Sequence, residues 1–187
     1  MRVSREQMAE NRRRILDAAG RLFREKGFDA VTVTEVMNAA GLTHGGFYGH
    51  FASKDELIAQ TMAHVLAASV AEGDGFGVLL DAYLSTRHRD RAAEGCPTAG
   101  LAADIRHQIP AARAAMAEGY RAQIDRLGAM MPGATPQARR RAAIGSWSAM
   151  VGAVILARAI DDPALSDEVL AETRAWIGAA IGRSPGE

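Results

Sequence analysis

A chain of 187 residues, 48% hydrophobic and 24% charged, is long enough for one large or two small folded domains. Its 22 basic and 22 acidic side chains cancel, so no global field selects a polyanion or a charged surface. A single cysteine excludes an intrachain disulfide, and MRVSREQMAENRRR lacks the apolar core of a secretory leader. No run without charges reaches the roughly 18 residues of a membrane span, so the expectation is a cytoplasmic protein with no membrane partner.

Charge is concentrated locally. Residues 1–26 carry eight Arg or Lys against four Asp or Glu. Arg2 and Arg5 read as a basic arm. From about Arg5 to Lys26, Ile15, Ala18, Ala19, Leu22 and Phe23 recur at helical spacing and predict a helix with one buried stripe. Arg12, Arg13 and Arg14 form a cationic turn with two readings, a solvated face or a phosphate contact. Gly27 ends the helix.

The stretch TVTEVMNAAGLTHGGFYGHFASKDEL, residues 32–57, predicts two short helices joined by a tight turn, then the start of a third. Thr32 and Glu35 make a capping-box pair. Gly41 stops the first helix, and Thr43 is placed to cap the second with its hydroxyl. That second helix, His44 to His50, holds Gly45, Gly46 and Gly49, each costing about 1 kcal/mol against Ala in a helix. Phe47 and Phe51 must therefore dock it. The glycines leave a surface that another backbone can approach closely. Tyr48, His50 and Lys54 add polar donors, and the start of the third helix at Ser53 and Lys54 favours a phosphate.

This stretch resembles the N-terminal signature of TetR-type transcriptional regulators, over about the first sixty residues. The resemblance implies an all-α chain: a three-helix helix-turn-helix DNA-binding domain at 1–53, then a larger effector-binding and dimerisation domain at 54–187, about nine helices in all. It also implies a regulator, most simply a repressor, released from a palindromic double-stranded operator by a small, largely apolar effector. Thr32 and Thr43 correspond to phosphate-touching caps. His44, Gly45 and Gly46 correspond to the base-facing start of the recognition helix, and Tyr48, His50 and Lys54 to phosphate contacts. His44 stands where many members carry Lys or Arg, so a long cation able to grip guanine is missing.

Beyond the signature, Leu57, Ile58, Met62, Val65 and Leu66 carry a helix to about Ala71, and Gly73, Asp74, Gly75 and Gly77 mark a flexible joint. Only helices follow. The sequence predicts one around Val78–Thr86, a charged loop at Arg87–Glu94, and helices opening at Pro97 and Pro110. Two long ones follow, at about 136–160 and 166–181. Residues 142–157 contain no ionisable side chain. A helix apolar all round needs a second partner, so these last two helices are expected to pair with their copies across a two-fold axis.

Met62, Leu66, Tyr83, Leu101, Ile105, Met116, Tyr120, Trp147 and Met150 are candidates to line an effector cavity, a reading carried mainly by the resemblance. Cys96 precedes a helix-starting proline and is a candidate redox or electrophile sensor. His64, His88 and His107 fall in no metal-ligating pattern, and no nucleophile elbow or phosphate-binding loop can be assembled. Neither enzymatic activity nor a cofactor is expected.

Overall fold

The computed structural model describes residues 4–69 and 75–182. Among them are nine α-helices, three 3-10 helices and no strand. The helices are α1 (Arg5–Ala30), α2 (Val33–Ala39), α3 (Lys54–Ala68), α4 (Phe76–Tyr83), α5 (Thr86–Asp90), α6 (Pro97–Leu101), α7 (Pro110–Met130), α8 (Pro136–Ala159) and α9 (Pro163–Gly182). The 3-10 helices are His44–Gly49, Ala92–Glu94 and Ile105–His107. Arg2, Gly73 and Asp74 lie outside the described residues; of the rest of the expected glycine joint, Gly75 caps α4 with φ 116° and Gly77 lies within that helix instead of in a joint.

Packing divides the chain into two compact units. One gathers everything up to Ser69 together with Cys96–Gly119; the other takes the preceding stretch to Gly95 and everything from Tyr120. This division by compactness differs from the functional boundary expected at 53/54, because α3 and α6 both pack on α1.

In the first unit the predicted stripe of α1 is buried: Ile15, Ala18, Ala19 and Phe23 have no exposed surface. Helical geometry holds to Lys26 and breaks at Gly27, with φ 79°. Phe28, Met37, Phe47, Phe51, Leu57, Met62 and Leu101 complete one continuous core. Each such side chain contributes roughly 1.5–3 kcal/mol by leaving water. At Gly20, α1 lies so close to α3 that an added Cβ would come within 2.5 Å of Val65 Cγ1.

The second unit is built on α8 against α9. Two elements depart from expectation. The charged loop at Arg87–Glu94 is instead α5 and a 3-10 turn, because Ser85 caps α5 by accepting from His88 N at 3.2 Å and Arg89 finds partners on α9. Helix α9 starts at Pro163 rather than near Ser166, because Asp162 Oδ1 accepts from Ala164 N and Leu165 N at 3.0 and 3.2 Å. By length and composition alone α8, which extends beyond the uncharged run at both ends, is long and apolar enough to cross a membrane. One face of it is nevertheless core, carrying Ala143, Trp147, Met150, Ala153, Val154 and Ala157.

Candidate nucleic-acid interface

The helix-turn-helix is assembled by local chemistry. Thr32 Oγ1 accepts from Glu35 N at 3.2 Å, opening α2. The Glu35 carboxylate does not reach back to close a capping box; it pairs with Lys26 Nζ at 2.6 Å. At the other end Leu42 N donates to Met37 O and Gly41 N to Asn38 O, both at 2.9 Å. This is a Schellman stop, and it requires the positive φ of 68° that Gly41 supplies.

The next element is a 3-10 helix. Gly46 N donates to Thr43 O at 3.0 Å, a bond from the first residue of a turn to the fourth. Thr43 occupies the cap position, but its hydroxyl makes no cap bond, contrary to expectation. In so tight a turn its own carbonyl already takes the first free N–H. Phe47 and Phe51 hold the element as expected, 1% and 2% exposed, with ring centroids 5.7 Å apart. His44, Gly45, Gly46, Tyr48 and Gly49 all face solvent, Tyr48 at 72%.

The glycines divide by cause. A Cβ at Gly46 would make ordinary contact with Met37 Cε at 3.7 Å. At Gly45 and Gly49 it would meet nothing within 4 Å, and neither residue has positive φ. Folding therefore does not ask for glycine at those two positions, although each weakens the helix.

The remaining contact candidates are Thr32, exposed, and His50 and Lys54, both half-buried. Lys54 Nζ lies 3.5 Å from Asp29 O. Burial, helped by the nearby Arg12 guanidinium, holds the His50 pKa below its ordinary value, so the ring acts as a neutral hydrogen-bonding group. The start of α3 is less open to an anion than expected. Ser53 Oγ accepts from Glu56 N at 3.1 Å, and Glu56 Oε2 accepts from Ala52 N at 2.6 Å.

In the triple arginine, Arg13 lies on a solvated face as one reading has it, and Arg12 and Arg14 also brace the fold. Arg12 donates to His50 O and to Gln60 Oε1, and its guanidinium lies 4.4 Å over the Phe51 ring. Arg14 donates to Ala40 O at 2.5 Å, and Arg13 pairs with Glu10 at 2.9 Å. Two of the three thus clamp α1 to the ends of α2 and of the 3-10 helix His44–Gly49. Nothing in the spacing of three consecutive arginines signals this.

The expected effector residues separate into two sets. Met62, Leu66, Leu101 and Ile105 are buried in the core of the first unit, with Met116 packed against it. Tyr83, Trp147 and Met150 are buried in the second unit, where Tyr120 is half-buried. Of the nine, only Tyr83 lines the cavity formed beside α4 and α5. Cys96 is half-buried, immediately before α6. Among the described residues no cluster of His, Cys, Asp or Glu could hold a metal.

Comparison with known proteins bears on this geometry. Residues 15–61 match the family model for bacterial regulatory proteins of the tetR family. The HTH-type transcriptional repressor Rv1474c of Mycobacterium tuberculosis is 36% identical over 83 residues, 43% of this chain and 44% of that protein. AcrR, an HTH-type transcriptional regulator of Shigella flexneri, is 37% identical over 59 residues, 32% of this chain and 27% of that one. These alignments span less than half the length of the relatives. Over the whole fold, reduced E. coli NemR superposes with a TM-score of 0.73 at 20% identity, covering 95% of this chain and all of that one. A TetR transcriptional regulator from Legionella pneumophila gives 0.70 at 20% identity, covering 90% and 95%. Residues 15–61 thus carry the N-terminal segment of the tetR family of bacterial regulatory proteins, on a chain whose all-helical fold matches these structures over most of its length.

Proposed function

We propose that the protein is a homodimeric transcriptional repressor that binds a palindromic operator and is released by a small effector held in its helical second region. Residues 1–53 read the DNA in this scheme, and 54–187 bind effector and dimerise. The observation that carries it is the recognition turn. Gly45 and Gly49 weaken that turn, satisfy no backbone or packing need, and face open space between the donors Thr43, Tyr48 and Lys54. A duplex phosphate backbone is the partner that such a surface admits. Tyr48, Lys54 and the caps Thr32 and Thr43 position the protein, and His44 with Gly45 and Gly46 faces the bases.

Dimerisation is supported by the outer face of α8 and α9. Ile144, Ile155, Leu156, Leu165 and Trp176 are all more than a third exposed there. A two-fold axis would set two recognition turns about 34–36 Å apart, one helical turn of DNA. Selection of bound duplexes from a random pool with purified protein tests the reading. A palindrome of matching spacing is expected; no enriched sequence at low salt overturns it.

A second reading places the input at Cys96. Cys96 is half-buried at the start of α6, with the Arg24 guanidinium nearby. Peroxide treatment followed by duplex binding separates the two readings. A response lost in Cys96→Ser supports the sensor; a response identical in that variant removes it.

A further inference from the structure

The second unit has a solvent-open cavity of about 400 Å³ lined by residues of α4, α5 and the 92–94 turn, within the size range of small-molecule sites. Its apolar lining is Leu79, Ala82 and Tyr83. Tyr83 is buried, with its ring 5.1 Å from that of Trp147 and 4.4 Å from that of His88. The polar lining includes Arg87, His88, Arg91 and Glu94.

The charges on that lining do not cancel. His88 Nδ1 lies 2.7 Å from the Tyr83 carbonyl, which can only accept, so the ring proton sits on Nδ1. Burial then favours the neutral ring. Arg91 pairs with Glu94 at 3.2 Å. Among the described residues no acidic side chain pairs with Arg87. One positive charge is left over, beside an aromatic and aliphatic surface.

The lining is also fixed in place. Arg158 of α8 donates to the carbonyls of His88 and Arg89, both at 2.9 Å. Arg89 Nη1 donates to Ser166 Oγ at 2.8 Å and to Asp167 Oδ1 at 2.5 Å, on α9. Gly95 completes the lining. A Cβ there would lie 2.9 Å from Arg158 Nη2 and 3.0 Å from His88 Nε2, so a side chain would displace one of these groups. Gly95 is followed directly by Cys96 and α6, the helix that packs on α1.

We propose that this cavity binds an amphiphilic monoanion, an aromatic or medium-chain carboxylate. Its hydrocarbon part lies on Leu79, Ala82 and Tyr83, and its carboxylate is gripped by Arg87, whose planar fork matches two oxygens. The ligand class adds an obligatory charge to the effector of the proposed function. It rests on that reading only for the consequence at DNA, because the binding itself is a property of the cavity.

Calorimetric titration of the full-length protein with phenylbutyrate and octanoate, against phenylbutyramide and octanamide, is the test. Saturable binding of the acids, with the amides weaker by about tenfold or more, is expected from the loss of a charge-assisted pair. Arg87→Gln should lower acid binding to the level of the amides and leave the amides unchanged. Ala82→Trp, at a solvent-facing position of the lining, should remove binding of both. No saturable binding of any probe, equal binding of acid and amide, or acid binding indifferent to Arg87→Gln overturns the proposal. Retention on a selected duplex is measured in parallel. Acid binding that leaves retention unchanged defeats the effector role while the site stands. Failure to select a duplex defeats the DNA reading, and the titration still decides the site.

Discussion

Individual side chains in the N-terminal unit divide into those that face out and those that brace. Lys54 is half-buried, yet its weak 3.5 Å approach to Asp29 O leaves the ammonium available. Lys54→Ala is expected to weaken binding to all duplexes alike and to reduce the slope of log K against log salt by about one. His44→Ala should instead change base preference at one half-site position while leaving the slope alone. Binding across a salt series, with duplexes varied at each position, separates the two effects. Arg12 is of the second kind. Removing it strands the His50 carbonyl and uncovers Phe51, so Arg12→Ala should cost about 1–3 kcal/mol in denaturant unfolding. Arg13→Ala, which loses only an exposed pair with Glu10, should stay within about 0.5 kcal/mol of the parent.

At the scale of elements, turn geometry decides what the sequence pattern can mean. Gly41 carries positive φ, and a Cβ there would come within 2.7 Å of Arg14 Nη2. Gly41→Ala should therefore destabilise by about 1–2 kcal/mol, through αL strain and displacement of the Arg14 clamp, as read by thermal or denaturant unfolding. Helix α5 makes a different prediction. Desolvation lowers the His88 pKa, the nearby Arg158 adds to this, and the bond to the Tyr83 carbonyl opposes it. The His50 pKa is lowered too, again chiefly by burial. With folded values below the ordinary one, the unfolded chain binds more protons in acid, so stability falls as pH drops through the histidine range near 6.5. Denaturation curves between about pH 7 and pH 5 should show this fall, and His88→Gln should flatten it.

At the scale of the molecule, the open question is what covers α8 and α9. Their shared outer groove is lined by Ala149, Gly152, Ala153, Leu156, Val169 and Trp176 together with Glu172 and Thr173, and Trp176 is 63% exposed. Small residues there let a second helix pair approach closely, and the aromatic supplies area to bury. A charge at the centre of such a surface would be desolvated without a partner. Leu156→Glu or Trp176→Glu is thus expected to shift sedimentation to a monomer and to lower operator affinity steeply, with helical content retained.

Much was legible from residue order because it depends on near neighbours. The stripe of α1, the Gly27 break, the Thr32 cap, the Gly41 stop and the burial of Phe47 and Phe51 follow from spacing and local backbone chemistry, and the structure has them. The all-helical class followed in the same way. What residue order could not supply are interactions between groups far apart in the chain. Arg12 meets a carbonyl 38 residues away, and Arg158 meets two carbonyls about 70 residues away. A charged run reads as solvated until such partners are placed beside it. For that reason Arg87–Glu94 looked like a loop and turned out to carry the cationic side of a cavity. The stripe residues proposed as effector lining divided between two cores for the same reason, because helical spacing says which face is buried and only tertiary packing says against what.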